Sequence, residues 1–251
     1  AKGSLEFIRQ GKSQEETATL LRNSMKLSKL GNIESAESTE KLTAIMNGFK
    51  LTAYDTGEVI DKLIALDNSY ATSVEEISTA MQYSSNSAQQ AGVDFEHLAA
   101  YITIVSSTTR QSAETIGQAF KTMFSRFTDI KEGKIDEDGL GINNVEKSLA
   151  RVNIKLRDSK NDFRDIQDVI QELGTKWESL DEVTQADLAK SIAGVRQKEQ
   201  FLVLMENQLK IQQAINEENK SQGLADERYE IYLKSIEAAQ NKFTATWEEF
   251  M

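Results

Sequence analysis

The stretch SVEEISTAMQYSSNSAQQAGVDFEHLAAYITIV, residues 73–105, decides the fold class. Ser73 precedes Glu76 by three positions, which is the spacing of a capping box at the start of a helix. Apolar residues then recur every three or four positions until Gly92, a residue type that commonly ends helices. Asp94 offers a second N-cap, and another amphipathic segment follows it. The stretch therefore predicts two helices joined by a tight turn.

The same signals recur along most of the chain, and proline, which breaks helices, is absent. We therefore predict a mainly α fold, a multi-helix bundle with short turns and with long helices at the C-terminal end, about 197–219 and 226–251. Alternating apolar residues predict one small β-hairpin near 152–164. Helix starts are predicted at Ser13, Asp55, Ser112 and either Asp181 or Thr184, and helix ends or breaks at Gly31, Gly194 and Gly223.

The chain length and the predicted helix ends and loops divide the 251 residues into successive parts of one core. We expect a helical segment that continues from a longer chain, a helical bundle, a flexible loop rich in glycine and acidic residues, a second helical part of the same core, and long helices leading out of the segment. The boundaries are 1–30, 31–128, 129–144, 145–205 and 206–251.

The amino-acid composition excludes most common kinds of catalytic and metal-binding site. There is no cysteine, and His97 is the single histidine, so a thiolate zinc site, a cysteine nucleophile and a two-histidine metal face are all excluded. The Asp136–Gly141 region fails the EF-hand pattern, because Leu140 and Lys147 stand where oxygen ligands are required. We predict no enzyme activity, no catalytic residue, no cofactor and no bound metal.

Charge and hydropathy exclude two further classes of partner. The net charge is −11, and residues 55–101 hold eight acidic side chains against one lysine, Lys62. A DNA-binding surface needs the opposite sign, so we expect no direct binding of nucleic acid. The longest apolar run, 201–205, is far shorter than the roughly 20 residues of a bilayer-spanning helix, so we expect no membrane span in this segment.

Two aromatic stripes at helical spacing are the candidate surfaces for self-association. Core packing is the simpler explanation of such stripes, but any exposed part could join copies of the chain. We therefore expect a homo-oligomer, with candidate contact residues Phe120, Phe124, Phe127, Phe243, Trp247 and Phe250.

Several short blocks resemble, in the same order, the shared globular core region of phage tail tape measure proteins. The similarity runs from about Gly31 to Met205, and the ordered series is more specific than any single block. The blocks are Ile45-Met46-Asn47-Gly48-Phe49, Thr72-Ser73-Val74-Glu75-Glu76, Ala91-Gly92-Val93, Phe120-Lys121-Thr122-Met123-Phe124-Ser125-Arg126, Leu156-Arg157-Asp158, Phe163-Arg164-Asp165-Ile166 with Leu173 and Trp177, and Ala193-Gly194-Val195-Arg196-Gln197.

The resemblance implies a structural component of the virion of a long-tailed phage. Proteins of this kind set tail length during assembly, lie in the tail lumen after assembly in the host cytoplasm, and are released at genome ejection. Tail tube, distal tail and tail chaperone proteins would be its partners. This segment holds neither the extended measuring region nor a membrane segment, so the resemblance makes it a folded, partner-binding part. The alternatives are a non-enzymatic helical interaction module unrelated to phage and, less favoured, a peptidoglycan-degrading domain.

Overall fold

The computed structural model describes residues 7–129, 131–135 and 141–250, without the side chains of 131–135, 141–142, 238 and 241–250. The chain is a mainly α helical bundle, as predicted. A short 3₁₀ turn, Trp177–Ser179, follows the eighth helix. The helices are α1 (Gln14–Leu30), α2 (Ser35–Gly48), α3 (Thr56–Ser69), α4 (Val74–Gln90), α5 (Phe95–Thr109), α6 (Ala113–Thr128), α7 (Asn144–Ala150), α8 (Ile166–Lys176), α9 (Glu182–Ile192), α10 (Lys198–Glu206), α11 (Gln208–Glu218) and α12 (Leu224–Phe250).

Local hydrogen bonds confirm most of the predicted helix starts. At Ser13 and Ser73 both halves of the capping box form, so two backbone donors that the helix leaves free are satisfied at each site. Asp181, rather than Thr184, caps α9, because its carboxylate accepts a hydrogen bond of 2.9 Å from the N–H of Thr184. Side-chain caps also form at Asp94 and Ser112.

Helix α3 begins after Asp55, as predicted, but the Asp55 side chain does not cap it. Its carboxylate turns back along the chain and accepts hydrogen bonds from the N–H and hydroxyl of Thr52, at 2.7 and 2.8 Å. The side chain therefore makes no cap bond to α3. The end of α1 also differs in detail from expectation. The residue in the left-handed conformation is Asn32, with φ 52°, whereas Gly31 has φ −89°.

The predicted hairpin near 152–164 reduces to one isolated antiparallel bridge, between Arg157 and Phe163. The N–H of Ile154 donates to the carbonyl of Leu149, so the apolar residues after α7 close that helix instead of starting a strand. A strand pair forms within 129–144, where Lys131–Ile135 runs antiparallel to Gly141–Ile142. Residues 130 and 136–140 of this predicted flexible loop lie outside the described residues.

The predicted helix 197–219 is two helices that meet at Asn207, whose φ of −120° is not helical. The side-chain amide of Asn207 donates to the carbonyl of Val203, and that of Gln208 donates to the carbonyl of Leu204. Side chains thus take carbonyls that the next helical turn would use, which is a known way to interrupt a helix.

One hydrophobic core joins residues from Leu27 to Ala225, so the 31–128 and 145–205 parts share it. Helix α4 lies near the centre and packs closely on α6. Gly117 permits this approach, because a Cβ atom there would lie 2.4 Å from the carbonyl oxygen of Ala80. A smaller cluster contains Phe7, Leu20, Met46 and Ala53.

Candidate interaction sites

A surface groove of about 460 Å³ lies where the end of α2 and the start of α3 face the turn between α4 and α5. Phe49 and Leu51 are half-buried in it, so part of their apolar surface meets solvent. The rings of Phe49 and Phe95 meet edge to face, with centroids 5.8 Å apart. The apolar lining residues are Phe49, Leu51, Val59, Val93 and Phe95.

The wall of the groove opposite α3 is held by contacts distant in sequence. Gly92 has a φ of +67°, and a Cβ atom there would lie 2.2 Å from the carboxylate of Asp165, so only glycine permits this approach. The N–H of Ile166 donates to the carbonyl of Ala91 at 2.9 Å, and the N–H of Asp94 donates to Gln167 at the same distance. Residues 165–167 are thereby fixed against the α4–α5 turn.

Carboxylates surround the groove. Five of the lining residues are acidic, and Lys62 is the one cation among them; the acidic ones are Asp55, Glu58, Asp94, Glu96 and Asp165. Lys62 is only 8% exposed. Its Nζ lies 2.6 Å from Glu58, also pairs with Glu96, and lies 5.8 Å above the centre of the Phe95 ring.

These contacts set the protonation states at the groove. Burial works against the charge on Lys62, but hydrogen bonds to Glu58 and Glu96 outweigh it and raise the Lys62 pKa. Burial likewise works to raise the pKa of Asp94, but hydrogen bonds from His97 outweigh it and lower that pKa. The lysine thus stays an ammonium and Asp94 a carboxylate.

A second cluster joins α3 to the junction between α11 and α12. The carboxylate of Asp61 accepts hydrogen bonds from the N–H groups of Gly223 and Ala225, at 2.8 and 2.7 Å. Lys26 of α1 pairs with Asp226 in the first turn of α12. At the end of α11, Glu218 is 1% exposed and neither of its carboxylate oxygens has a hydrogen-bond partner. Burial raises its pKa to about 10, so it is protonated at neutral pH.

The structure describes the side chains of three of the six candidate aromatic residues. Phe120, Phe124 and Phe127 are buried in the core, and Phe120 stacks on Phe124 with centroids 5.8 Å apart. This stripe therefore has no exposed ring to contact another copy. Phe243, Trp247 and Phe250 belong to α12, but their side chains lie outside the described residues.

Sequence reasoning did not find either cluster. In the sequence, the acidic stretch 55–101 shows only as an excess of negative charge, and nothing marks Asp165 or Gln167, about 70 positions away from Asp94, as its neighbours. Nothing in the sequence distinguishes Asp61 from the other acidic residues of this stretch, because its partners are the backbone amides of residues 223 and 225. A residue that caps a different helix lies at no fixed sequence distance from it, so the sequence alone does not predict the contact.

Among the described residues, no three histidine, aspartate or glutamate side chains come close enough together to hold a metal ion. None of the described helices combines the length and the apolar character that crossing a bilayer requires.

Fold and surface together define a helical bundle with one shared hydrophobic core and an acid-lined groove. The chain belongs to the phage-related minor tail protein family, whose model matches residues 1–194. It is therefore a phage tail protein, with its place in the tail of the virion and its partners among tail proteins. This overturns the alternative of an interaction module unrelated to phage. No solved structure matches the chain.

Proposed function

We propose that this chain is the folded part of a tape measure protein, which sets tail length during assembly and is released at genome ejection. The observation that carries the proposal is the ordered series of blocks between Gly31 and Met205, found in a chain that belongs to a phage tail family. The protein would assemble in the host cytoplasm and lie in the tail lumen of the virion. Its role would be structural and not enzymatic, through contacts with tail tube, distal tail and chaperone proteins.

Helix α12 supports a role as the connection between the bundle and other parts of a tail. Its 27 residues span about 40 Å at 1.5 Å per residue. Hydrogen bonds and an ion pair near its beginning tie it to α1 and α3, through Ala225, Asp226 and Arg228. The first turns of α12 are therefore anchored on the bundle, and we assign the contact with a partner to the turns that follow.

The same helix supports the proposed homo-oligomer. Ile231 and Leu233 are 55% and 48% exposed, and Tyr229 stacks on Tyr232 with ring centroids 6.1 Å apart. Further along, positions 243, 247 and 250 follow helical spacing and are all aromatic. Aromatic side chains on one helical face commonly dominate contacts between helices, so we assign self-association to α12.

Charge supports the expectation that the segment does not bind nucleic acid directly. A chain of net charge −11 repels the phosphate backbone, and no counterions of the nucleic acid would be released on contact. Any association with the genome during ejection would then run through other parts of the tail.

Tail length measured by electron microscopy tests the proposal. An in-frame deletion is made in a helical stretch of the parent gene outside these 251 residues. Tails should shorten by about 1.5 Å per deleted residue, the rise of an α-helix. The matched control replaces the same stretch with an unrelated helical sequence of equal length, and it should leave tail length unchanged. Tails of normal length after the deletion would rule out the tape measure role while leaving the family membership intact.

A further inference from the structure

The groove between α3 and the α4–α5 turn combines two features that a solvated helix face lacks. Its floor is apolar and partly open to solvent through Phe49 and Leu51. Its acidic side chains stand on both sides of that floor, with Asp55 and Glu58 on one wall and Asp165 on the other. A volume of about 460 Å³ is in the range of cavities that hold bulky groups.

The charges of the groove are not balanced from within. Five carboxylates and one ammonium leave an excess of four negative charges among the described lining residues. Lys62 is turned inward and already shared by Glu58 and Glu96, so it cannot neutralise the exposed carboxylates of Asp55, Asp94 and Asp165. Each ionised carboxylate accepts several hydrogen bonds, so the acids that already have a partner keep capacity for a cationic donor.

We infer that this groove is a docking site for a basic segment of a partner protein, in which a bulky apolar side chain is flanked by lysine or arginine. The apolar side chain would enter between Phe49, Leu51 and Val93, where it loses contact with water. The flanking cations would pair with Glu58 on one wall and Asp165 on the other. Charge complementarity selects this occupant over a second copy of the chain, because the chain is itself acidic.

The geometry makes the site specific for a chain that crosses from one wall to the other. Asp165 is exposed and is held in place by the contact of its carboxylate and Cα with Gly92 in the α4–α5 turn. Glu58 is exposed in the first turn of α3. A segment with cations on only one side of its apolar residue would therefore leave one of the two walls unpaired.

Fluorescence anisotropy with a labelled synthetic peptide, Lys-Lys-Phe-Leu-Lys-Lys, tests the inference. One control peptide carries glutamate in place of lysine, and another carries serine in place of phenylalanine and leucine. The first peptide should bind, the two controls should not, and rising salt should weaken binding because exposed charges are screened.

A matched pair of double variants locates the binding. Glu58→Gln with Asp165→Asn removes one charge from each wall, whereas Glu40→Gln with Glu178→Gln removes two exposed charges elsewhere. Both change the net charge equally, and thermal melts check that both fold. The groove variant should weaken peptide binding about tenfold, and the control variant less than about twofold.

Three outcomes would overturn the inference. Absence of binding by the lysine-rich peptide removes the site, and equal weakening by both double variants shows attraction to the acidic chain as a whole. The third is a solution mass that falls in the groove variant alone, which would make the occupant a second copy of the chain. Tail length is not measured in this experiment, so its failure is distinguishable from failure of the tape measure proposal.

Discussion

The Oδ1 atom of Asp61 accepts a hydrogen bond of 2.7 Å from the backbone N–H of Ala225, across 164 positions of sequence. The other oxygen of the same carboxylate accepts from the N–H of Gly223. A residue of α3 thus caps the start of α12, and its negative charge lies at the positive end of the helix dipole. The last helix is docked on the bundle by this contact.

Asp61→Ala should therefore loosen α12. A lost N-cap costs about 1–2 kcal/mol, and we expect the free energy of unfolding to fall by that amount in urea titrations. Hydrogen exchange at the amides of residues 223 and 225 should accelerate. The control is Asp67→Ala on the same helix, which removes an acidic side chain without a described hydrogen bond to α12. Equal exchange rates in the two variants would contradict the capping role.

Glu218 should make stability depend on pH. Its pKa is about 10 in the folded chain against an ordinary value of 4.5, so the folded chain retains a proton that the unfolded chain releases. The stability it contributes is present below pH 4.5 and is lost as pH rises toward 10. Glu218→Gln removes this dependence, because the neutral amide does not titrate.

The expected result is a variant that is more stable than the natural chain at pH 8, with a difference that shrinks by roughly 2–4 kcal/mol at pH 5. Urea unfolding at the two pH values measures it. Glu206→Gln, an exposed change on the neighbouring helix, should shift stability by less than about 0.5 kcal/mol at both. A difference that does not vary with pH would show that Glu218 does not bind the proton in the folded chain.

Gly117→Ala should destabilise the bundle. The added methyl would lie 2.4 Å from the carbonyl oxygen of Ala80, so α4 and α6 must separate, at a cost of about 1–3 kcal/mol. Gly57→Ala in α3 is the matched control, since its nearest neighbour would lie 3.8 Å away. It should stabilise the chain by about 0.5 kcal/mol through helix propensity. Thermal melts showing the same shift for both variants would contradict the close approach.

Phe124→Ala should act on folding and not on association. The ring is 1% exposed and stacks on Phe120, and removing such a ring typically costs about 3–5 kcal/mol. Tyr83→Ala, at a ring that is 39% exposed, should cost much less. Urea titration measures both. If the Phe124→Ala chain stayed stable but its oligomeric mass fell, the stripe would contribute to self-association and not to the core.

Trp247→Ala should weaken the proposed oligomer without lowering the melting temperature. An aromatic residue central to a contact contributes about 2 kcal/mol or more, which corresponds to roughly a 30-fold change in Kd. Analytical ultracentrifugation over a range of concentrations measures it. Glu249→Ala, on the opposite face of α12 by helical spacing, is the control. An oligomeric mass that is unchanged at low concentration would show that Trp247 does not contribute to the contact between copies of the chain.

The sequence by itself determined the helical class and most helix starts, because these depend on contacts within one turn. Ser13 with Glu16 and Ser73 with Glu76 carry both partners of their capping boxes three positions apart, and both form. The spacing pattern failed where a side chain had a second local partner available. Asp55 has the same spacing to Glu58 but bonds backwards to Thr52.

Only the tertiary structure decided which faces are covered and which residues meet. Helical spacing places Phe120, Phe124 and Phe127 on one face, but their burial depends on how α6 packs against the rest of the bundle. The groove, with Asp165 against Gly92, and the cap of Asp61 on Ala225 join residues about 70 and 164 positions apart. Such contacts depend on the relative placement of whole helices, and that placement is set by the summed packing of the core, which no local spacing encodes.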